Sequence, residues 1–271
     1  SERVSKCQSE HYKCRMALII GAGDFSNLLC AGDDITSPSN FYVSCWQSNR
    51  SSVPLLCMRG FLFLYSTCVL LASMATLAMT LGIGYWFIYV THWAYLLVVI
   101  STGSGTVVSA YVYYKRPIGK RFTIYSLIST HSIVAFLITI FYWGINYAPN
   151  PVIDVMLHGV NSVVMLVELV ASAHPSRLLH IMQPLYFAGV YLLFTVIYYF
   201  AGGVDPWGNP FVYPVLDWSK PDQTMVVVTL TALFLALMHL ITVAVAALRD
   251  FVARKCIANN TTGVYNDGFD A

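Results

Sequence analysis

The sequence predicts an all-α integral membrane bundle of about six transmembrane helices, with both termini in the cytoplasm. Three observations carry that expectation. Hydrophobic residues make up 57% of the 271 and charged residues only 10%, whereas soluble domains carry about 25% charge. The charges fall in short clusters and leave long intervals with few ionisable groups, as spanning helices do. Lysine and arginine are also distributed unevenly between the connections. The net charge of +2 comes from basic residues beside apolar segments, not from one polar stripe. Nucleic acid is therefore set aside as a partner, and membrane lipids are expected instead.

Residues 1–54 are polar, with Pro38, Pro54 and many Ser and Asn, and read as a cytoplasmic leader. They lack the apolar core and cleavage site of a signal peptide. The stretch 16–31 contains Asp24 and reads as a short amphipathic piece on the membrane. The six-helix domain covers residues 55–248, with spans at 55–79, 85–114, 122–146, 152–173, 180–201 and 224–248. Each reaches the roughly 20 residues that hydrocarbon requires. Residues 249–271 form a polar tail, expected to be disordered.

Orientation follows from the positive-inside rule. The leader holds Arg3, Lys6, Lys13, Arg15 and Arg50, and the second connection holds Lys115, Arg116, Lys120 and Arg121. Arg177 lies between spans four and five, and Arg249, Arg254 and Lys255 follow the last span. Lys220 stands alone on the opposite side, and Arg59 sits at the start of the first span. The external surface is then mainly the loop 202–223, acidic through Asp205, Asp217 and Asp222 and open to a possible protein partner. Sequons at Asn49, Asn259 and Asn260 fall on the cytoplasmic side.

Seven cysteines, at 7, 14, 30, 45, 57, 68 and 256, all lie outside the external segments, which argues against a disulfide framework. Cys7 and Cys14 near His11 lack the second pair of a zinc site, so no metal is expected. No cofactor is expected either. Cys45, Cys57 and Cys256 lie where palmitoylation occurs, or are ordinary reduced thiols.

Ionisable groups in hydrocarbon cost at least about 2.5 kcal/mol each, so each marks a candidate site. His92, His131, Asp154, His158, Glu168 and His239 are these groups. His158, Asn161, Met165 and Glu168 share one helical face that must point inward. Asp154 precedes His158 by one turn, where its carboxylate can orient the imidazole. Glu168 can pair with Arg177. Trp86 and Trp93, seven apart in one predicted helix, share a face around Thr91 and His92. Residues 101–105 (Ser-Thr-Gly-Ser-Gly) offer a surface for close helix approach. Two readings stand for the polar groups: hydrogen-bonding glue between helices, or a ligand or reaction site. A transporter is a weaker third, since no matched pair of interrupted helices is evident.

Several ordered blocks carry a family resemblance. Tyr85-Trp-Phe-Ile-Tyr-Val-Thr-His-Trp93, His158-Gly-Val-Asn-Ser-Val-Val-Met165, His174-Pro-Ser-Arg-Leu-Leu-His180, Tyr191-Leu-Leu-Phe-Thr-Val-Ile-Tyr-Tyr199 and Phe211-Val-Tyr-Pro-Val-Leu-Asp-Trp218 together resemble the Rolling stone family, from about residue 45 to 250. The resemblance implies a multipass plasma-membrane protein with a part in myoblast fusion during muscle development. The family is more distantly similar to the androgen-induced and androgen-dependent transmembrane hydrolases. These cleave fatty-acid esters of hydroxy fatty acids with a Thr and a His. That similarity implies Thr91 as nucleophile and puts the histidine that acts with it at Asn161, so that His158, one turn away, takes over as base in a hydrolase reading. Asn161, Glu168, His92 and Trp93 are the candidates to line a lipid or polar pocket. The hydrolase motif His-Gly-x-His reads His158-Gly159-Val160-Asn161 here, and Asn is no general base.

Overall fold

A computed structural model describes residues 44–47, 51–114, 132–145, 152–174, 176 and 178–260. Six helices order it: α1 Val53–Thr80, α2 Val90–Tyr113, α3 Ser132–Ile145, α4 Val152–Ala171, α5 Met182–Phe200 and α6 Pro221–Asn260. All but α3 are long and apolar enough to cross a membrane, and among the described residues there is no strand. The fold is the all-α membrane bundle that composition predicts. The 2–3 connection, His131 and the first part of the third predicted span lie outside the described residues, as do Arg177, the leader cysteines Cys7, Cys14 and Cys30, and Asn49.

The largest interface joins α1 to α2 antiparallel, and its residues explain why. On α1 the buried positions are Leu55, Arg59, Leu62, Ser66, Val69, Leu70 and Ser73, which apart from Leu70 alternate steps of four and three. That is the seam of a left-handed coiled coil. Every seventh residue of the seam is polar: Arg59, Ser66 and Ser73. Tyr95, Thr102 and Ser109, also seven apart and fully enclosed, answer them on α2. Small residues set the spacing. A methyl group added at Gly103 would fall 2.8 Å from the Phe63 ring, and one at Gly105 would fall 3.0 Å from the Arg59 guanidinium.

The predicted second span is not one helix. After α1 the chain turns at Gly82, whose φ of 102° suits glycine. It then makes a 3₁₀ turn over Ile83–Ile88, and Tyr89 is extended before α2 begins at Val90. Trp86 and Trp93 therefore do not share a helical face. Trp86 folds back instead, its indole N–H donating to Ser73 Oγ at 3.2 Å.

Below this pair, α3 packs against α4 and α6, while α5 lies at the edge with only Pro184, Tyr191 and Thr195 buried. The core is a series of apolar clusters. One holds Val69, Leu70, Trp86, Tyr95, Val99 and Leu157, and another holds Leu62, Val98, Ala135, Val164 and Met165.

The last helix corrects the predicted tail. It runs to Asn260 because its buried stripe does not stop at Leu248. Leu235, His239, Thr242, Ala246, Arg249 and Ala253 continue the same four-three spacing. Residues 261–271 lie outside the description.

Candidate functional site

The inward face of α4 forms as its spacing predicts. His158, Asn161, Met165 and Glu168 are all buried, Asn161 and Met165 almost completely. The helix is not regular there, however. Met156–Val160 is a π turn between two α segments, and such bulges re-aim side chains locally. Each polar group on this face meets a different neighbour.

Glu168 pairs with Arg59 of α1, and the expected partner Arg177 lies outside the described residues. Arg59 Nε donates to Glu168 Oε1 at 2.7 Å and a terminal nitrogen forms the ion pair with the same oxygen. Arg59 Nη1 also reaches Ser109 Oγ at 3.0 Å and the Gly105 carbonyl at 3.4 Å. Arg59 is only 3% exposed, and in hydrocarbon that burial demands such pairing. The sequence signal was there: Arg59 was the one cation inside an apolar span that the orientation count left unassigned.

Asn161 faces α3. Its Oδ1 accepts the Ser162 amide at 2.6 Å and the Thr139 hydroxyl at 3.0 Å, while Ser162 Oγ donates to the Ala135 carbonyl at 3.0 Å.

His158 stacks on Tyr142, ring centroids 3.6 Å apart. Its Nδ1 lies 2.9 Å from the Asp154 backbone carbonyl. A carbonyl only accepts, so Nδ1 carries the proton and the Asp154 backbone orients the ring. The expected carboxylate contact is absent because Asp154 Oδ2 instead accepts the Tyr142 hydroxyl at 3.4 Å. His92 is held the same way: Nδ1 donates to the Trp86 carbonyl at 2.7 Å and the ring stacks on the Trp86 indole, centroids 4.7 Å apart.

Thr91, one residue earlier, points elsewhere, since successive helix residues diverge by about 100°. The backbone beside it is held by Tyr213, whose hydroxyl accepts the Val90 amide at 3.2 Å. Beside it Tyr191 donates to the Ile88 carbonyl at 2.7 Å. Trp93 donates to the Phe87 carbonyl at 2.6 Å and packs on Tyr191 and Phe194. Among the described residues no hydrogen bond joins Thr91 to His158. The structure thus gives His92, His158, Asn161 and Glu168 separate partners. Tyr213, Tyr142 and Thr139 are the partners that sequence reasoning missed.

At the end of the bundle where α4 stops, other groups close its backbone. Arg249 donates to the Leu169 carbonyl at 2.6 Å and the His174 carbonyl at 3.0 Å. Trp46 Nε1 reaches the Val170 carbonyl at 2.8 Å, and Ser44 Oγ the Ala171 carbonyl at 2.6 Å. These are the orphan acceptors that every helix end leaves. A short piece of the leader is thereby tied to the bundle. No group of three or more His, Cys, Asp or Glu suited to a metal occurs among the described residues.

The family model described as "Protein rolling stone" matches residues 34–258, nearly the whole membrane domain and its flanks. The chain belongs to the Rolling stone family. The Rolling stone protein of Drosophila melanogaster is 30% identical over 224 residues, covering 73% of this chain and 78% of that relative. No solved structure matches. The Rolling stone blocks around Thr91, His158 and Tyr213 therefore belong to one helical membrane architecture.

Proposed function

We propose that this Rolling stone-type membrane protein acts at the plasma membrane in cell–cell fusion, of the kind that joins myoblasts, as a non-enzymatic component. The single observation that supports the non-enzymatic part is that no hydrogen bond joins the implied catalytic groups among the described residues. His158 is engaged by Tyr142 and the Asp154 carbonyl, and Asn161 by Thr139. A threonine hydroxyl needs a base within about 3 Å or one water to become a nucleophile. The fusion role itself comes from the resemblance. The orientation, with the loop 202–223 outside, is supported by the lysine and arginine distribution. It also agrees with contacts that bring the start of α1, the end of α4 and Arg249 of α6 to one end of the bundle.

The test uses fusion-competent insect myoblasts that lack their own Rolling stone protein. Expression of this chain restores multinucleate cells, and Thr91→Ala restores them equally. The alternative is an intramembrane threonine hydrolase of lipid esters that uses Thr91 and His158. It replaces this reading if a fluorophosphonate probe labels the natural protein and the label disappears in Thr91→Ala.

A further inference from the structure

We infer that the turn following α5 is a membrane-interface anchor, in which Trp207 seats in the headgroup boundary of the adjacent leaflet. The inference rests on the spanning helices and is independent of the fusion role.

The turn is built from Asp205-Pro206-Trp207-Gly208. The Gly208 amide donates to the Asp205 carbonyl at 3.0 Å, closing a tight turn with Pro at its second position. Gly208 has φ 85°, a left-handed value that favours glycine. Asp205 Oδ1 accepts the amides of Trp207 at 2.9 Å and Asn209 at 2.8 Å, and Oδ2 accepts the Asn209 side chain at 2.8 Å. Behind the turn, Tyr198 donates to the Val204 carbonyl at 2.8 Å and its ring covers Gly203. The backbone is fixed, and the indole it presents is 74% exposed.

Two observations choose a lipid surface as what covers that indole. First, the exposure continues the outer stripe of α5. Tyr186, Leu193, Ile197 and Phe200 face outward at helical spacing, Phe200 is 80% exposed, and Val204 and Trp207 follow it. The apolar face that a spanning helix shows to lipid thus runs without interruption into the turn. Second, two of the three acids of the loop are turned inward. Asp205 and Asp217 are buried as turn caps, so the tip presents an indole and aliphatic carbons without a carboxylate. Amphipathic indoles concentrate at membrane interfaces for this reason. A protein partner would need about 800 Å² per side, more than a tip of this size offers.

The experiment reconstitutes the full chain in phosphatidylcholine vesicles. Six tryptophans emit, so the Trp207 share is the difference between wild type and Trp207→Phe. Expected is loss of most of that share with lipids brominated near the carbonyl region, and little loss with aqueous acrylamide. Quenching by acrylamide without quenching by bromine overturns the inference. So does protection from both that disappears as protein is diluted in lipid, which means a second copy covers the indole. Asp205→Ala, or Gly208→Ala if the first variant fails to reconstitute, is expected to shift the Trp207 share to acrylamide while the other five tryptophans are unchanged. If the share stays lipid-quenched in both variants, the turn does not seat Trp207 and the inference fails.

Discussion

Arg59 on α1 and Glu168 on α4, 109 positions apart in sequence, form a buried ion pair that Ser109 on α2 completes from a third helix. Three helices are thereby locked at one rotation about their axes. The lock needs both partners, because either charge alone would be stranded in a low dielectric.

Glu168→Ala is expected to destabilise the bundle by about 3–5 kcal/mol, the usual cost of breaking a buried pair. Replacing both partners by Met is expected to recover most of that loss, since two apolar side chains of similar length leave no charge behind. Thermal unfolding in detergent, read by helical circular dichroism, checks both. A double variant no better than the single one would refute the lock.

Arg249 is expected to resist exchange for Lys. Its planar fork reaches the carbonyls of Leu169 and His174 at once, and a point charge on a flexible stem does not reproduce two fixed directions. Arg249→Lys and Arg249→Met should both lower the melting temperature. The expected loss is about 1.5–3 kcal/mol for each charged hydrogen bond removed. Ser44→Ala, which removes one neutral bond to Ala171, should cost about 1 kcal/mol.

Acid is expected to loosen the loop between α5 and α6. Burial alone would push the Asp205 carboxyl up, but bonds from Asn209, Trp207 and Gly208 outweigh it and hold the group below its ordinary value. Asp217 is lowered as well, chiefly by Ser219 and further by Lys220. A depressed carboxyl stabilises the fold above its unfolded value of about 3.9, and the contribution is lost as pH falls through the lower folded value. Tryptophan emission should therefore be steady from neutral pH to about 5 and change only below about 4. Asp205→Asn should remove its part of that transition.

Orientation can be read from thiol access. Gln223, exposed in the first turn of α6, should react with an impermeant maleimide in intact cells when replaced by Cys. The native Cys256, exposed on the same helix, should react only after permeabilisation. The reverse pattern would invert the topology.

Some of the site was legible before folding and some was not. The spacing of His158, Asn161, Met165 and Glu168 placed them on one inward face, and the π turn did not disturb that result. The Asp-Pro-Trp-Gly turn was also written locally, although counting charges made the loop look acidic when Asp205 and Asp217 are spent as caps. The break at Gly82 divided what hydropathy read as one span, because apolar residues look alike in a helix and in a 3₁₀ turn. His158 and His92 are each held by a backbone carbonyl, of Asp154 and of Trp86, which no spacing in the sequence announces.

What the sequence by itself determined is that this is a helical membrane protein, and which face of its fourth span turns inward. Both depend on sums over one continuous segment: about twenty apolar residues to cross hydrocarbon, and a repeat of three and four to mark a buried stripe. Only the tertiary structure decided which polar groups meet. Arg59 found Glu168, Asn161 found Thr139 and the Val90 amide found Tyr213 through helix rotation and register. Those are fixed by packing across many residues at once, with small positions such as Gly105 deciding how closely two helices approach.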